Sequence, residues 1–199
     1  MKKINIIILV SAFIFSCGNI SAQVFKKGDL DLGFGIGLGG HYNTPNFQFF
    51  SGMNHTQTPI LGFNAEYCPF DKIGPGSIGI GGFFGYKGIT DTWQNYYKYS
   101  YQYFIIGVKG AYHYTPKTIE KLDLYAGIMI HFNILSYHET ALDPYSNGTQ
   151  NIGSSSKSYP STSEFVGAKY FFKPKFGAFV ELGYGVSYAT VGLNFKFAK

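Results

Sequence analysis

Between Asp29 and Leu38 the chain alternates without a fault. Leu30, Leu32, Phe34, Ile36 and Leu38 hold the even positions, and Asp29, Asp31, Gly33, Gly35 and Gly37 the odd ones. Successive side chains of a strand point to opposite faces, so this stretch has one apolar face and one small or acidic face. The same period returns at 190–197, where Val191, Leu193, Phe195 and Phe197 alternate with Thr190, Gly192, Asn194 and Lys196. No segment carries a helical period, which sets aside architectures that alternate strands with helices.

Six further strands follow the same rule. The second runs from Ile60 to Cys68, with Leu61, Phe63, Ala65 and Tyr67 facing away from Gly62, Asn64 and Glu66. The third, from about Ser77 to Gly88, sets Ile78, Ile80, Phe84 and Tyr86 against Gly79, Gly81, Gly85 and Lys87. The fourth ends near Tyr114 and carries Phe104, Ile106, Val108 and Tyr112 on one side and Lys109 on the other. In the fifth, from Leu122 to about Leu135, Leu124, Ala126, Ile128, Ile130, Phe132 and Ile134 oppose Tyr125, Gly127, Met129, His131 and Asn133. The sixth opposes Val166, Ala168, Tyr170 and Phe172 to Gly167 and Lys169, and the seventh opposes Ala178, Val180, Leu182 and Tyr184 to Glu181. The strand at 190–197 is the eighth.

Turn-forming residues place the connections. Residues 41–58, 90–95 and 137–161 read as long polar loops, the last rich in serine and expected to be mobile. Residues 69–76, 115–121 and 173–175 read as short turns, and 185–187 as a short final connection. Alternation of long and short connections over an even number of strands is the pattern of an up-and-down membrane barrel. Strands of about ten residues are long enough to cross a bilayer at the usual tilt. The fold class expected is therefore all-β: a single eight-stranded antiparallel transmembrane β-barrel with up-and-down topology.

Composition agrees. The 199 residues include 26 Gly, 17 Tyr and 20 Phe, and only 14% are charged. Aromatic residues favour strands; a membrane barrel can display them to lipid and at its interfaces, where a soluble sandwich would have to bury them. The aromatic run from Trp93 to Phe104, with Tyr96, Tyr97, Tyr99, Tyr101 and Tyr103 between them, reads as a protruding strand end carrying the interfacial aromatic belt.

The first residues have the plan of a secretory signal peptide: Lys2 and Lys3, an apolar run from Ile4 to Phe15, then Ser21 and Ala22. The run is shorter than the roughly 20 residues of a spanning helix. Cleavage is expected after Ala22, giving a signal peptide at 1–22 and one barrel domain at 23–199. Cys17, within a loose lipoprotein-like pattern, is the competing processing site. Past Ala22 the single cysteine is Cys68, so no internal disulfide can form.

The same features narrow the chemistry. All 16 basic residues are lysine, so the guanidinium fork suited to phosphate recognition is missing, and no nucleic-acid partner is expected. Gly35, Gly37 and Gly40 fit a G-x-G-x-x-G string, but no helix pattern follows, as a dinucleotide site requires. The inward charges are Asp29, Asp31, Glu66, Lys87, Lys109, Lys169, Glu181 and Lys196. Both signs occur, and an eight-stranded barrel is just wide enough for side chains to fill it, so they are expected to pair within a packed lumen. His131 and Met129 read as lumen filler. No catalytic, cofactor-binding or metal-ligating set is expected, and no cofactor.

The strand at 190–197 resembles the C-terminal assembly signal of bacterial outer-membrane barrels: a polar residue, any residue, Gly, two of any kind, an aromatic, any residue, an aromatic. Thr190, Gly192, Phe195 and Phe197 fill the specified positions. Together with the glycine- and aromatic-rich strands and the segment FVELGYG at 179–185, the chain resembles the small outer-membrane β-barrel, porin-like family that includes the OmpA-type barrels. The resemblance implies residence in the bacterial outer membrane. It also implies outer-membrane lipid and the barrel assembly machinery as partners, and a structural or loop-mediated role such as adhesion or envelope integrity, with any extracellular ligand left open. A separate peptidoglycan-binding domain, found in some such proteins, is not expected.

Two other readings stand beside it. Ser136 and His138 near the outer end of the fifth strand, with Glu164 on the sixth, loosely resemble the triad of outer-membrane lipid A deacylases, which carry His before Ser. A soluble lipocalin-like barrel would reverse the polarity, placing apolar residues inside around a ligand.

Overall fold

A computed structural model describes residues 24–42, 52–94, 96–142 and 149–198. The expected signal peptide and Cys17 lie outside the described residues. Among the described residues there are nine strands: β1 (Leu30–Leu38), β2 (Met53–Gln57), β3 (Ile60–Ile73), β4 (Gly76–Trp93), β5 (Tyr97–Tyr114), β6 (Leu122–Leu142), β7 (Thr149–Lys173), β8 (Phe176–Tyr184) and β9 (Ala189–Phe197). All pairings are antiparallel. Around the ring β1 pairs β3, each later strand pairs the next, and β9 returns to β1, with Leu30 opposite Phe197 and Leu38 opposite Ala189. Closure of this kind leaves no sheet edge at the level of β1, β8 and β9.

Eight strands form the wall, and β2 extends it. β2 and β3 both pair with β4, so they act as one wall strand interrupted at Pro59, which has no N–H to donate. Thr58 bridges the break: its N–H donates to the Gly88 carbonyl at 2.9 Å, and its hydroxyl accepts from the Gly88 N–H at 2.9 Å. The loop expected over 41–58 therefore contains a strand at 53–57.

Other expected loops are also strand. β3 runs through Pro69 to Ile73 with register shifts after Tyr67 and Phe70, so the turn expected over 69–76 shrinks to Gly74 and Pro75. β4 continues to Trp93, and its ladder with β5 is unbroken from Gly76 opposite Tyr114 to Trp93 opposite Tyr97. The largest correction concerns 137–161. β6 and β7 stay paired as far as Leu142 opposite Thr149, with one bulge beside Glu139. The expected mobile loop is a tall hairpin, because a neighbouring strand satisfies backbone groups that serine-rich composition alone would leave to water.

The two ends of the barrel therefore differ. Three tight turns, the segment before β1 and the end of β9 share one end. At the other, β4 to β7 rise above the short strands β1, β8 and β9. β8 meets β7 only from Tyr184 opposite Glu164 downward, so among the described residues no strand covers that edge of β7 above Glu164.

Polarity follows the sequence parity. Phe34, Phe63, Ile80, Ile106, Val108, Ile128, Phe132, Val166, Leu182 and Val191 face outward and are exposed, while Asp31, Glu66, Lys109, His113, Asp123, Lys169 and Asn194 are buried inside. This inverts the arrangement of a lipocalin-like binder. Outward aromatic residues gather at two levels. Tyr170, Phe172, Phe176 and Phe195 form a chain of ring contacts at the short-turn end, with centroids 4.9 to 6.0 Å apart. Phe84, Tyr86 and Phe104 form another toward the tall end, at 5.3 and 6.4 Å.

Inside, the end nearer the tight turns is polar and the other half is aromatic and aliphatic, built on Ile60, Ile105, Met129, Phe165, Tyr101 and Tyr103. The inward glycines make room for the polar half. A Cβ on Gly167 would strike the Tyr125 ring, and one on Gly79 the Glu66 carboxylate.

Candidate functional site

The lumen holds the densest chemistry of the chain. Lys169 on β7 donates to Asp31 on β1 at 2.6 Å and to Glu66 on β3 at 3.1 Å. Asn194 on β9 donates to the other Asp31 oxygen at 3.0 Å. His113 on β5 lies between two carboxylates, with Nε2 at 2.8 Å from Glu66 and Nδ1 at 2.8 Å from Asp123. Lys109 stands 3.9 Å from Glu66 and 4.0 Å from Glu181, and Tyr125 donates to Glu181 at 3.1 Å. Glu66 thus meets three cationic or cation-capable groups, a packing that offsets the cost of burying its charge.

Of the eight expected inward charges, Asp31, Glu66, Lys109, Lys169 and Glu181 belong to this network. Lys196 and Asp29 form a separate pair at 3.9 Å near the short-turn mouth. Lys87 joins no ion pair among the described residues; its ammonium lies 4.6 Å from the centre of the Tyr42 ring, a cation–π contact. His113 and Asp123 were not singled out in the sequence, although each has the parity of inward neighbours, Lys109 and Tyr125.

The short-turn mouth is closed by residues ahead of β1. Phe25 is 2% exposed and packs 4.7 Å from the His113 ring. Its carbonyl accepts from the Ser77 hydroxyl at 2.8 Å, and the Val24 N–H donates to Thr115 Oγ1 at 2.9 Å. In the upper lumen a cavity of about 50 Å³ remains among residues such as Gly35, Asn64, Lys109 and Glu181. That is room for water, not for a drug-sized ligand. His131 contacts Ser163 at 3.1 Å and Met129 packs in the core, as filler residues do.

The tyrosines of the aromatic run that lie on β5 have the inward parity and do not join the outer belt. Tyr101 and Tyr103 are buried on the inward parity, while Phe104 faces out. They line the concave side of the tall wall, where Tyr99 and Tyr137 stack at 6.5 Å. Burial pushes the Tyr101 phenol up to about 12 and raises that of Tyr137 as well.

Ser136 and His138 do meet, with Oγ 3.3 Å from Nε2. Glu164 does not join them. It sits opposite Ile128, eight positions along β6 from Ser136, a distance of about 26 Å at the usual rise per residue. The acid next in sequence, Glu139, accepts from Tyr137 at 3.2 Å. The triad suggested by the sequence is therefore not assembled.

No family model and no curated protein sequence matches the chain. Among solved structures it is similar to the N-terminal β-barrel domain of Pseudomonas aeruginosa OprF, at 13% identity over 86% of this chain and 98% of that one, with a TM-score of 0.44. It is also similar to Ail, the attachment invasion locus protein of Yersinia pestis. There the identity is 11% over 86% of this chain and 99% of that one, with a TM-score of 0.46. For Ail in a phospholipid bilayer nanodisc the values are 16%, 86%, 100% and 0.39.

Proposed function

We propose that the chain is an integral outer-membrane β-barrel, non-enzymatic, with a packed lumen, that supports the envelope and meets extracellular partners through its tall end. The observation that carries this reading is the inverted polarity. A continuous belt of exposed Phe, Ile, Leu and Val surrounds a charged interior, and aromatic residues border the belt at both levels. On β5 the outward run from Phe104 to Tyr112 takes nine residues, and a tilted strand needs about 9 to 11 to cross the hydrocarbon.

The chain is exported by a signal peptide at 1–22, cleaved after Ala22, and reads as one domain from 23 onward. Insertion brings it into contact with outer-membrane lipid and, on the way, with the barrel assembly machinery. At the tall end the uncovered edge of β7 offers backbone donors and acceptors to an extended segment of another protein. Its outward Ser154, Ser156 and Ser158 are too small to obstruct that approach.

Fractionation of expressing cells tests the reading. The expected result is recovery in the outer-membrane fraction with heat-modifiable migration on a gel. Recovery in the soluble periplasm would overturn it.

A further inference from the structure

Exposed lysines are distributed very unequally between the two ends. Of the nine exposed lysines among the described residues, seven lie at the short-turn end: Lys26, Lys27, Lys72, Lys117, Lys121, Lys173 and Lys175. Lys98 and Lys157 are on the tall strands. Each of the three turns carries a lysine of this group or has one within two residues of it, and the segment before β1 carries two, so the charges surround the mouth. Against them stand Asp71 and Glu120, the acids at this rim not tied into the lumen network or to Lys196, which leaves an excess of five positive charges.

Their neighbours fix their level. Lys72 adjoins exposed Ile73, Lys117 and Lys121 flank exposed Ile119, and Lys173 follows exposed Phe172. A lysine beside an exposed apolar residue can lay its methylene stem along the apolar surface with its ammonium at headgroup depth, as Lys173 can beyond Phe172. A compact cation on a flexible stem, with no competing arginine, suits a mobile phosphate better than a fixed bidentate ligand.

We propose that this rim is a binding surface for anionic phospholipid headgroups, which it gathers in the leaflet at the short-turn end. The inference rests on the membrane-barrel reading above. It assigns the barrel's lipid preference to one leaflet and to lysines that take no part in the lumen network. The preference arises from several weak, screened contacts, so it responds to salt and to the number of lysines.

The test uses the full-length chain after export, purified in detergent and reconstituted into phosphatidylcholine bilayers. Heat-modifiable migration first establishes insertion, so failure of the barrel reading shows itself separately. Spin-labelled phosphatidylglycerol and phosphatidylcholine are then compared for the fraction of lipid immobilised by the protein. The expected result is a preference for phosphatidylglycerol of about threefold or more at low salt, approaching parity in about 1 M salt as screening removes the attraction. The combined variant K72Q, K117Q, K121Q, K173Q and K175Q is expected to insert and lose the preference, while K98Q with K157Q retains it. Parity in the unmodified protein would overturn the proposal, as would a preference that survives the rim variant. Saturable binding of soluble polyphosphate to the rim in pure phosphatidylcholine, without phosphatidylglycerol enrichment, would also overturn it and assign the rim to a soluble polyanion.

Discussion

Lys169 reaches Asp31 across the interior at 2.6 Å, joining β7 to β1. Neither strand pairs with the other in the wall, so the contact braces the barrel across its bore. Glu66 is the second acceptor of the same ammonium. Truncating Lys169 to Ala would leave Asp31 without its lysine and take from Glu66 the nearer of its two, and removing one partner of a buried pair typically costs about 3 to 5 kcal/mol. Urea unfolding of the reconstituted protein should show that loss for K169A, and a smaller one for the double change K169M with D31L.

Val108 is 65% exposed in the middle of the apolar belt. A lysine there should cost about 2 to 4 kcal/mol if the belt faces hydrocarbon, and close to nothing if it faces water. The same unfolding assay on V108K separates the two environments; Ser154→Lys, on the tall hairpin, is the reference and should be neutral.

Gly167 lies against the Tyr125 ring, which in turn donates to Glu181. G167A should force that ring aside at a cost of about 1 to 3 kcal/mol, the usual range for overpacking. Pairing G167A with Y125A should recover part of the loss, since the second change vacates the space the first requires.

Alkaline pH should weaken the tall wall. Because the Tyr101 phenol titrates at about 12 in the folded protein and an unfolded tyrosine at about 10, the unfolded state loses its proton first. Stability then falls as pH rises from about 10 toward 12 and is unaffected below that window. Unfolding midpoints measured across this range should decline less steeply for Tyr101→Phe.

Ser136→Ala should leave the acylation of lipid A in expressing cells unchanged, because Ser136 and His138 lack Glu164. A mass spectrum of extracted lipid A that changed with this substitution would restore the serine as a nucleophile.

Side-chain parity was legible from the sequence nearly everywhere, because a period of two needs no knowledge of partners: Asp31, Glu66 and Lys169 are inside and Val191 to Phe197 alternate as expected. The height of the tall wall was not. Residues 149–163 have the composition of a loop, and only the ladder with β6 makes them a strand. The aromatic run misled for a related reason, since tyrosines above the hydrocarbon can turn inward once the wall continues past the membrane. His113 and Glu66, 47 positions apart, meet only when the bore is closed around them, so no local pattern announces the pair.

Phe25 carries a consequence for the order of assembly. Its seat is made by Ser77 at the start of β4 and His113 at the end of β5, with Thr115 just beyond holding the preceding residue, Val24, and none of the three belongs to its own hairpin. The ring cannot settle until strands distant in sequence have already come round to the beginning of the chain. A fluorescent or cross-linkable residue introduced there would act as a clock hand for the closing step.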